Sequence, residues 1–291
     1  MKILKLIPLV FALVILNACS SDSSSSSSSV DESFHFKYDG QTINVTSWEA
    51  QRSGNTIAVT GYGANGMSIS LEFNSYGDIG EVDTYSLTDG AVPLSQAQAY
   101  YTNESFTFNL VSINATNKTA HVTFSGKVYE DGYDLTSPFV NVEGDFLVNY
   151  EDVVPQVAGL DVYAKIAGND WYDSKSDQEG GFFSGSDVTL SSYNGDIYAI
   201  NITTNHDNSI VGSHSFTPSS STDKVTLSKY NSTLDYFEEY DCTGTFNLTA
   251  KEVGASITVI TGTYTFTAVD PVTSAEITVT NGTFKTAYTN Y

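Results

Sequence analysis

Four histidines, two cysteines and 34 acidic side chains are the first groups to weigh in this 291-residue chain for covalent or acid–base chemistry. Nucleophilic catalysis needs a base beside an exposed serine or cysteine. His35 lies near the first β-like segment, His121 and His214 fall inside alternating stretches, and His206 sits in the turn around Asn205, Asp207 and Asn208. No Gly-x-Ser-x-Gly elbow frames a serine, so all four read as surface histidines. A zinc site would need two or more His or Cys at ligand spacing, and phosphate binding a glycine-rich loop; neither pattern occurs. No metal and no cofactor are expected. Acidic clusters at Asp235, Glu238, Glu239 and Asp241, and at Asp131 and Asp134, read as solvating charge. A paired acid and base of the glycosidase kind stays open on composition. No Asp-x-Asp-x-Asp-Gly loop is present, which argues against calcium.

The remaining residues of interest are aromatic or sulfur-bearing. Cys242 is in phase with Tyr240, Phe246 and Leu248, which predicts an inward-facing, inert thiol. Trp171 stands three residues after a turn glycine, as Ile43 does, and is expected in the core. Trp48 is out of phase with Ile43 and Val45, so it is expected to point outward, either as a stacking platform for a ligand or as a packing contact to the other half of the chain. Tyr101, with Tyr62, Tyr172 and Tyr193, would extend such an aromatic surface. Trp48 and Tyr101 are therefore the candidate ligand-binding residues, and none is assigned a catalytic role.

These side chains must be positioned by a β scaffold. The composition is 40% hydrophobic and 13% aromatic, with 19 Tyr, 16 Phe and 22 Gly against 6 Pro, which is poor in helix formers and rich in strand formers. Lys plus Arg total 12 against 34 acids, a net charge of −22. Such a field excludes nucleic acid as a natural partner by like-charge repulsion. The apolar period is two: Ala120, Val122, Phe124 and Val128 alternate with His121, Thr123, Ser125 and Lys127, as in a strand with one buried face.

The N-terminus carries a different grammar. Lys2 and Lys5 precede an apolar run from Ile7 to Leu16, too short to span a bilayer, and small residues follow before Cys19. Leu16-Asn17-Ala18-Cys19 resembles the lipobox of bacterial lipoproteins, which implies diacylglyceryl transfer to the Cys19 sulfur, cleavage before it, and a mature chain anchored by lipid. Residues 1–18 are thus expected to be a lipoprotein signal peptide. Residues 19–31, containing the serine run 23–29, would be a tether.

Beyond the tether, the chain echoes itself. Ile260-Thr261-Gly262-Thr263-Tyr264 and Thr280-Asn281-Gly282-Thr283-Phe284 answer Phe124-Ser125-Gly126-Lys127-Val128 and Val142-Glu143-Gly144-Asp145-Phe146. Phe108-Asn109-Leu110 matches Phe246-Asn247-Leu248, Asp39-Gly40 matches Ala167-Gly168, and Thr84-Tyr85-Ser86-Leu87 matches Ser213-His214-Ser215-Phe216. The expected organisation is an internal duplication, copy 1 at 32–152 and copy 2 at 158–291, joined by 153–157. Each copy is expected to be an antiparallel β domain, sandwich or up-and-down barrel, of about eight strands. Phase breaks predict β-bulges in the second copy alone, near Val259-Ile260 and Asn281-Gly282. The segment 262–268 with 277–284, together with the lipobox and serine tether, resembles an uncharacterised family of β-rich lipoproteins from Bacteroidetes, a resemblance that implies no activity.

The functional expectation follows from an anchor, a tether and two scaffolds without a reactive constellation. It is a lipid-anchored, non-catalytic binding module at the outer membrane or cell surface, for a glycan or an envelope protein. The alternatives are a lipocalin-like carrier of a small apolar ligand, which needs a barrel cavity, and a glycan-active enzyme built on two carboxylates.

Overall fold

The computed structural model describes residues 31–86, 95–174, 181–234 and 236–290. The leader, Cys19, the serine run, Leu87 and Asp235 lie outside the described residues. The described chain is strand and turn, with a 3-10 turn at Thr102–Glu104. The first half contains β1 (Ser33–Tyr38), β2 (Gln41–Ile43), β3 (Val45–Ser53), β4 (Thr56–Gly63), β5 (Met67–Asn74), β6 (Ile79–Ser86), β7 (Ser95–Gln96), β8 (Phe106–Asn114), β9 (Thr119–Tyr129), β10 (Phe139–Asn149) and β11 (Glu151–Asp152). The second contains β12 (Asp161–Ile166), β13 (Asn169–Tyr172), β14 (Phe182–Ser184), β15 (Asp187–Tyr193), β16 (Tyr198–Asn205), β17 (Gly212–Phe216), β18 (Lys224–Asn231), β19 (Tyr236–Glu239), β20 (Asp241–Val253), β21 (Ile257–Val269) and β22 (Glu276–Thr289).

Alternation builds the layers. Along β9, Ala120, Val122, Phe124 and Val128 are buried while Thr123 and Ser125 are exposed. In the second half, the sheet β13-β12-β22-β21-β20-β17 faces the sheet β14-β15-β16-β18-β19. Val162, Phe246, Ile260 and Phe284 from the first meet Val188, Leu190, Ile202 and Leu227 from the second in one core, which makes a β-sandwich. The first half has the corresponding pairings, β2-β1-β10-β9-β8 and β3-β4-β5-β6. There, however, Gln96 of β7 pairs with Asp83 of β6 and with Tyr129 of β9, so the two layers become one continuous, half-barrel sheet. Its interior is filled by rings: Phe34 against Phe146 at 5.1 Å and Phe73 against Phe108 at 5.0 Å. Among the described residues the two cores have none in common.

Local details recur between the halves. The Asp39-Gly40 and Ala167-Gly168 turns both have positive φ at their two central residues, the mark of tight hairpins. One extra residue follows Leu110 in β8 and Leu248 in β20 at the same place in the ladder. The bulge expected at Asn281-Gly282 is present: Tyr264 pairs with Gly282 and Phe266 with Val279, so two residues of β22 oppose one, and Asn281 has φ 54°. Gly282 is required there by close approach, since a Cβ would lie 2.2 Å from the Tyr264 ring.

Several expectations are corrected. No bulge breaks β21 near Val259-Ile260; buried residues keep one phase from Thr258 to Ala268, and the extra residue is Thr249 on the partner strand. Nor are bulges confined to the second half, because β3 and β8 carry them too. The match of 84–87 with 213–216 fails: β6 corresponds by pairing to β18, which joins β16 as β6 joins β5, while β17 sits at the edge of the other sheet beside β20. Among the described residues each half has eleven strands, of which eight have five residues or more.

Candidate functional site

The halves meet along a seam built from turns at strand ends. Asn74, fully buried at the end of β5, donates through Nδ2 to Asp78 Oδ2 (2.9 Å) and across the seam to the Asp173 carbonyl (3.1 Å). Its Oδ1 accepts the backbone N–H groups of Tyr76 and Asp78, each at 2.9 Å, so the side chain is saturated and shapes the turn it sits in. The Asn103 N–H donates to the Gly195 carbonyl at 2.9 Å. Gly195 has φ +73°, and a Cβ on it would come within 2.5 Å of the Ile79 carbonyl oxygen, so the seam closes this tightly only with glycine. Burial, followed by the charge of Asp196, pushes the Asp78 carboxyl above its ordinary range. Asp161 is shifted in the same direction by burial, against a hydrogen bond from Asn55.

Beside these polar contacts lies an aromatic cluster drawn from both halves. Tyr100 is 5.2 Å from Tyr133, 5.6 Å from Phe237 and 6.2 Å from Tyr193. Tyr101 meets Tyr230 at 5.9 Å, and Tyr193 meets Phe237 at 5.4 Å. Most of these pairs are edge-on or tilted, the arrangements that ring quadrupoles favour. Tyr230 is buried beneath the others, whereas Tyr133 is 57% exposed. The loop presenting Tyr133 is held by its own carboxylates: Asp131 Oδ1 accepts the Tyr133 N–H (2.9 Å), and Asp134 Oδ1 accepts the Thr136 N–H (2.8 Å) and hydroxyl (2.6 Å). Those bonds, the hydroxyl's first, hold the Asp134 carboxyl below its usual range. The same loop, through Leu135, and the 3-10 turn, through Asn103 and Glu104, line a groove of about 520 Å³ together with Phe106, Lys127 and Tyr129. Exposed aromatic edges beside amide, hydroxyl and carboxylate groups suit a molecule with a flat apolar face and a hydroxyl-rich rim.

The residues singled out from sequence separate in space. Tyr101 and Tyr193 join this cluster. Tyr172 crosses the seam elsewhere and stacks on Tyr76. Tyr62 lies on the outer face of β4, 3.4 Å from Glu49, its hydroxyl pushed up to about 12 by burial and by the neighbouring Tyr85 and Glu49. Trp48 does not point outward. The register shift between Val45 and Ser47 adds one residue to β3 and returns Trp48 to the face of buried Ala50, where it is half-buried against the first core, opposite Gly61. Trp171 is 4% exposed in the second core, opposite Ala164 as Ile43 is opposite Phe36. Cys242 is buried, its thiol pushed up to about 11 chiefly by desolvation. His35, His206 and His214 each lie beside an aspartate, at 3.5, 3.1 and 3.7 Å. Among the described residues no group of three or more His, Cys, Asp or Glu is arranged to hold a metal ion.

No pattern in the sequence marks Tyr100, Tyr133, Tyr230, Phe237 or Asn74. With 19 tyrosines in the chain, only the pairing of distant segments distinguishes these few. Compared with known proteins, the chain matches no family model, and no curated protein or solved structure resembles it significantly.

Proposed function

We propose that the chain is a lipid-anchored, non-catalytic binding module of the cell envelope, held through Cys19 at the outer membrane or cell surface, and that its ligand is a glycan engaged at the aromatic seam. The observation that carries the reading is the convergence of Tyr100, Tyr101 and Tyr133 from one half with Tyr193 and Phe237 from the other around a partly exposed patch, next to a polar groove. Stacking on such rings contributes on the order of 1 kcal/mol per contact beyond area burial. The recurrence of strand pairing, hairpin turn and bulge in both halves supports their origin as copies of one unit, with the site assembled where the copies differ and meet.

The test uses the full-length chain in detergent on an array of neutral and acidic glycans, alongside Tyr133→Ala. Binding that drops at least fivefold in the variant, with an unchanged unfolding midpoint, is the expected result. Binding untouched by Tyr133→Ala, or an array without signal while an envelope protein is retained, removes the glycan reading. For the anchor, metabolic labelling with a fatty-acid analogue should mark the wild type and leave Cys19→Ser unlabelled. A labelled mutant sinks the lipoprotein assignment.

A further inference from the structure

The Tyr76–Tyr172 stack lies apart from the proposed ligand patch and joins the halves at a different point of the seam. Its centroids are 3.7 Å apart and its planes 12° from parallel. That is closer and more nearly face-to-face than the offset or edge-on geometries, roughly 4.5–7 Å between centroids, that free ring pairs adopt. Both rings are held by neighbouring groups. The Tyr76 N–H is fixed on Asn74 Oδ1, Asn55 Nδ2 donates to the Tyr76 hydroxyl at 3.3 Å, and Tyr163, the cross-strand neighbour of Tyr172, lies 4.9 Å from its ring. Tyr76 is 48% exposed, so reagents reach the stack from solvent. A disulfide is not the means of joining the halves here, since Cys242 is buried within the second core.

We propose that Tyr76 and Tyr172 are an oxidative cross-linking site, a dityrosine staple between the two halves, formed when a peroxide and a one-electron oxidant such as a haem peroxidase reach the surface. The oxidant removes one electron and one proton from each phenol, giving two phenoxyl radicals. These join ortho carbon to ortho carbon, and the two ring hydrogens at the new bond move to the oxygens, restoring both phenols. The pair loses two hydrogen atoms in total, and these reduce one hydrogen peroxide to two waters. The near-parallel contact places the rings together before the radicals form, which favours the intramolecular product over coupling to another chain.

The experiment treats the full-length chain in detergent with a haem peroxidase and hydrogen peroxide, followed by trypsin digestion and mass spectrometry. Cleavage at Arg52, Lys118, Lys165 and Lys175 leaves Tyr172 as the single tyrosine of fragment 166–175, separate from Tyr163, while Tyr76 lies in fragment 53–118. The expected product joins these two fragments with the loss of two hydrogens, maps to Tyr76 on fragmentation, and forms at a yield independent of protein concentration. Tyr172→Phe keeps the stack but lacks the phenol, and should lower that product at least tenfold; Tyr76→Phe should do the same. Three results would each overturn the proposal: a product no more abundant than from the urea-unfolded chain, coupling mainly through Tyr62, Tyr85, Tyr100 or Tyr101, or dimers in place of the internal link. A null glycan array has no bearing on this readout.

Discussion

Gly282→Ala should destabilise the second half through one identifiable contact. All three atoms nearest to a Cβ at this position belong to the Tyr264 ring, at 2.2, 2.3 and 2.6 Å, whereas ordinary van der Waals contact begins near 3.4 Å. The ring must therefore retreat by more than an ångström, but it is 4% exposed and anchored by its hydroxyl, which donates to the Tyr163 carbonyl at 3.1 Å. Overpacking of this kind costs about 1–3 kcal/mol, and losing the hydrogen bond adds about 1 kcal/mol, so about 2–4 kcal/mol is expected. With a urea dependence of roughly 2 kcal/mol per molar, the midpoint falls by about 1–2 M. The assay is urea unfolding followed by Trp171 fluorescence in a Trp48→Phe background, so that the signal comes from the second core. The discriminating step is a double-mutant cycle. Tyr264→Ala alone costs about 3–5 kcal/mol as a large core truncation. In that background Gly282→Ala should cost less than about 0.5 kcal/mol, because the ring atoms it would strike are gone. If the alanine costs the same with and without the ring, its effect arises in the backbone of the bulge and the steric argument is wrong.

Other perturbations follow from the same geometry. Trp171→Ala, in the second core, should cost about 3–5 kcal/mol, and half-buried Trp48→Ala clearly less; thermal unfolding of the two variants ranks them, and a reversed order would refute the burial assignments. Because the folded-state pKa of Asp78 is raised, its contribution to stability is fully present below the ordinary carboxylate pKa and is lost as pH rises through the folded value. Asp78→Asn keeps an acceptor for Asn74, so its urea midpoint should exceed the wild type's at neutral pH and converge with it in acid. A gap that widens in acid contradicts the sign. Cys242, with its thiol raised to about 11, should resist iodoacetamide at mildly alkaline pH in the native chain and react once unfolded in urea, as read by adduct mass.

Much of the scaffold was legible in the order of residues. The period-two alternation of 120–128 assigns an inner and an outer face without reference to any partner, because a strand's side chains alternate by geometry alone. The inward Cys242 and the phase break at Asn281-Gly282 could be read for the same reason, from a few consecutive residues, while the inward Trp171 is read from its likeness to Ile43 in the first half. Trp48 could not be read that way. Its break of phase fits either an outward side chain or an extra residue in β3, and only the pairing with β4 shows the extra residue, which inverts every side chain beyond it. The false match of 84–87 with 213–216 has the same origin, since alternating Thr, Ser and Tyr look alike until hydrogen bonding decides which strand each joins.

The seam lay furthest from view. Tyr100 and Tyr193 are separated by more than ninety residues, and Asn74 reaches Asp173 at a sequence separation of 99. In sequence these are ordinary turn and strand-end residues. The chain alone determined that two β-rich halves would each bury their own apolar faces, because burial by alternation is a local property. Only the tertiary structure decided which of the surplus tyrosines would meet, because that depends on how strand ends from two separate cores are brought into register, and no local pattern encodes it.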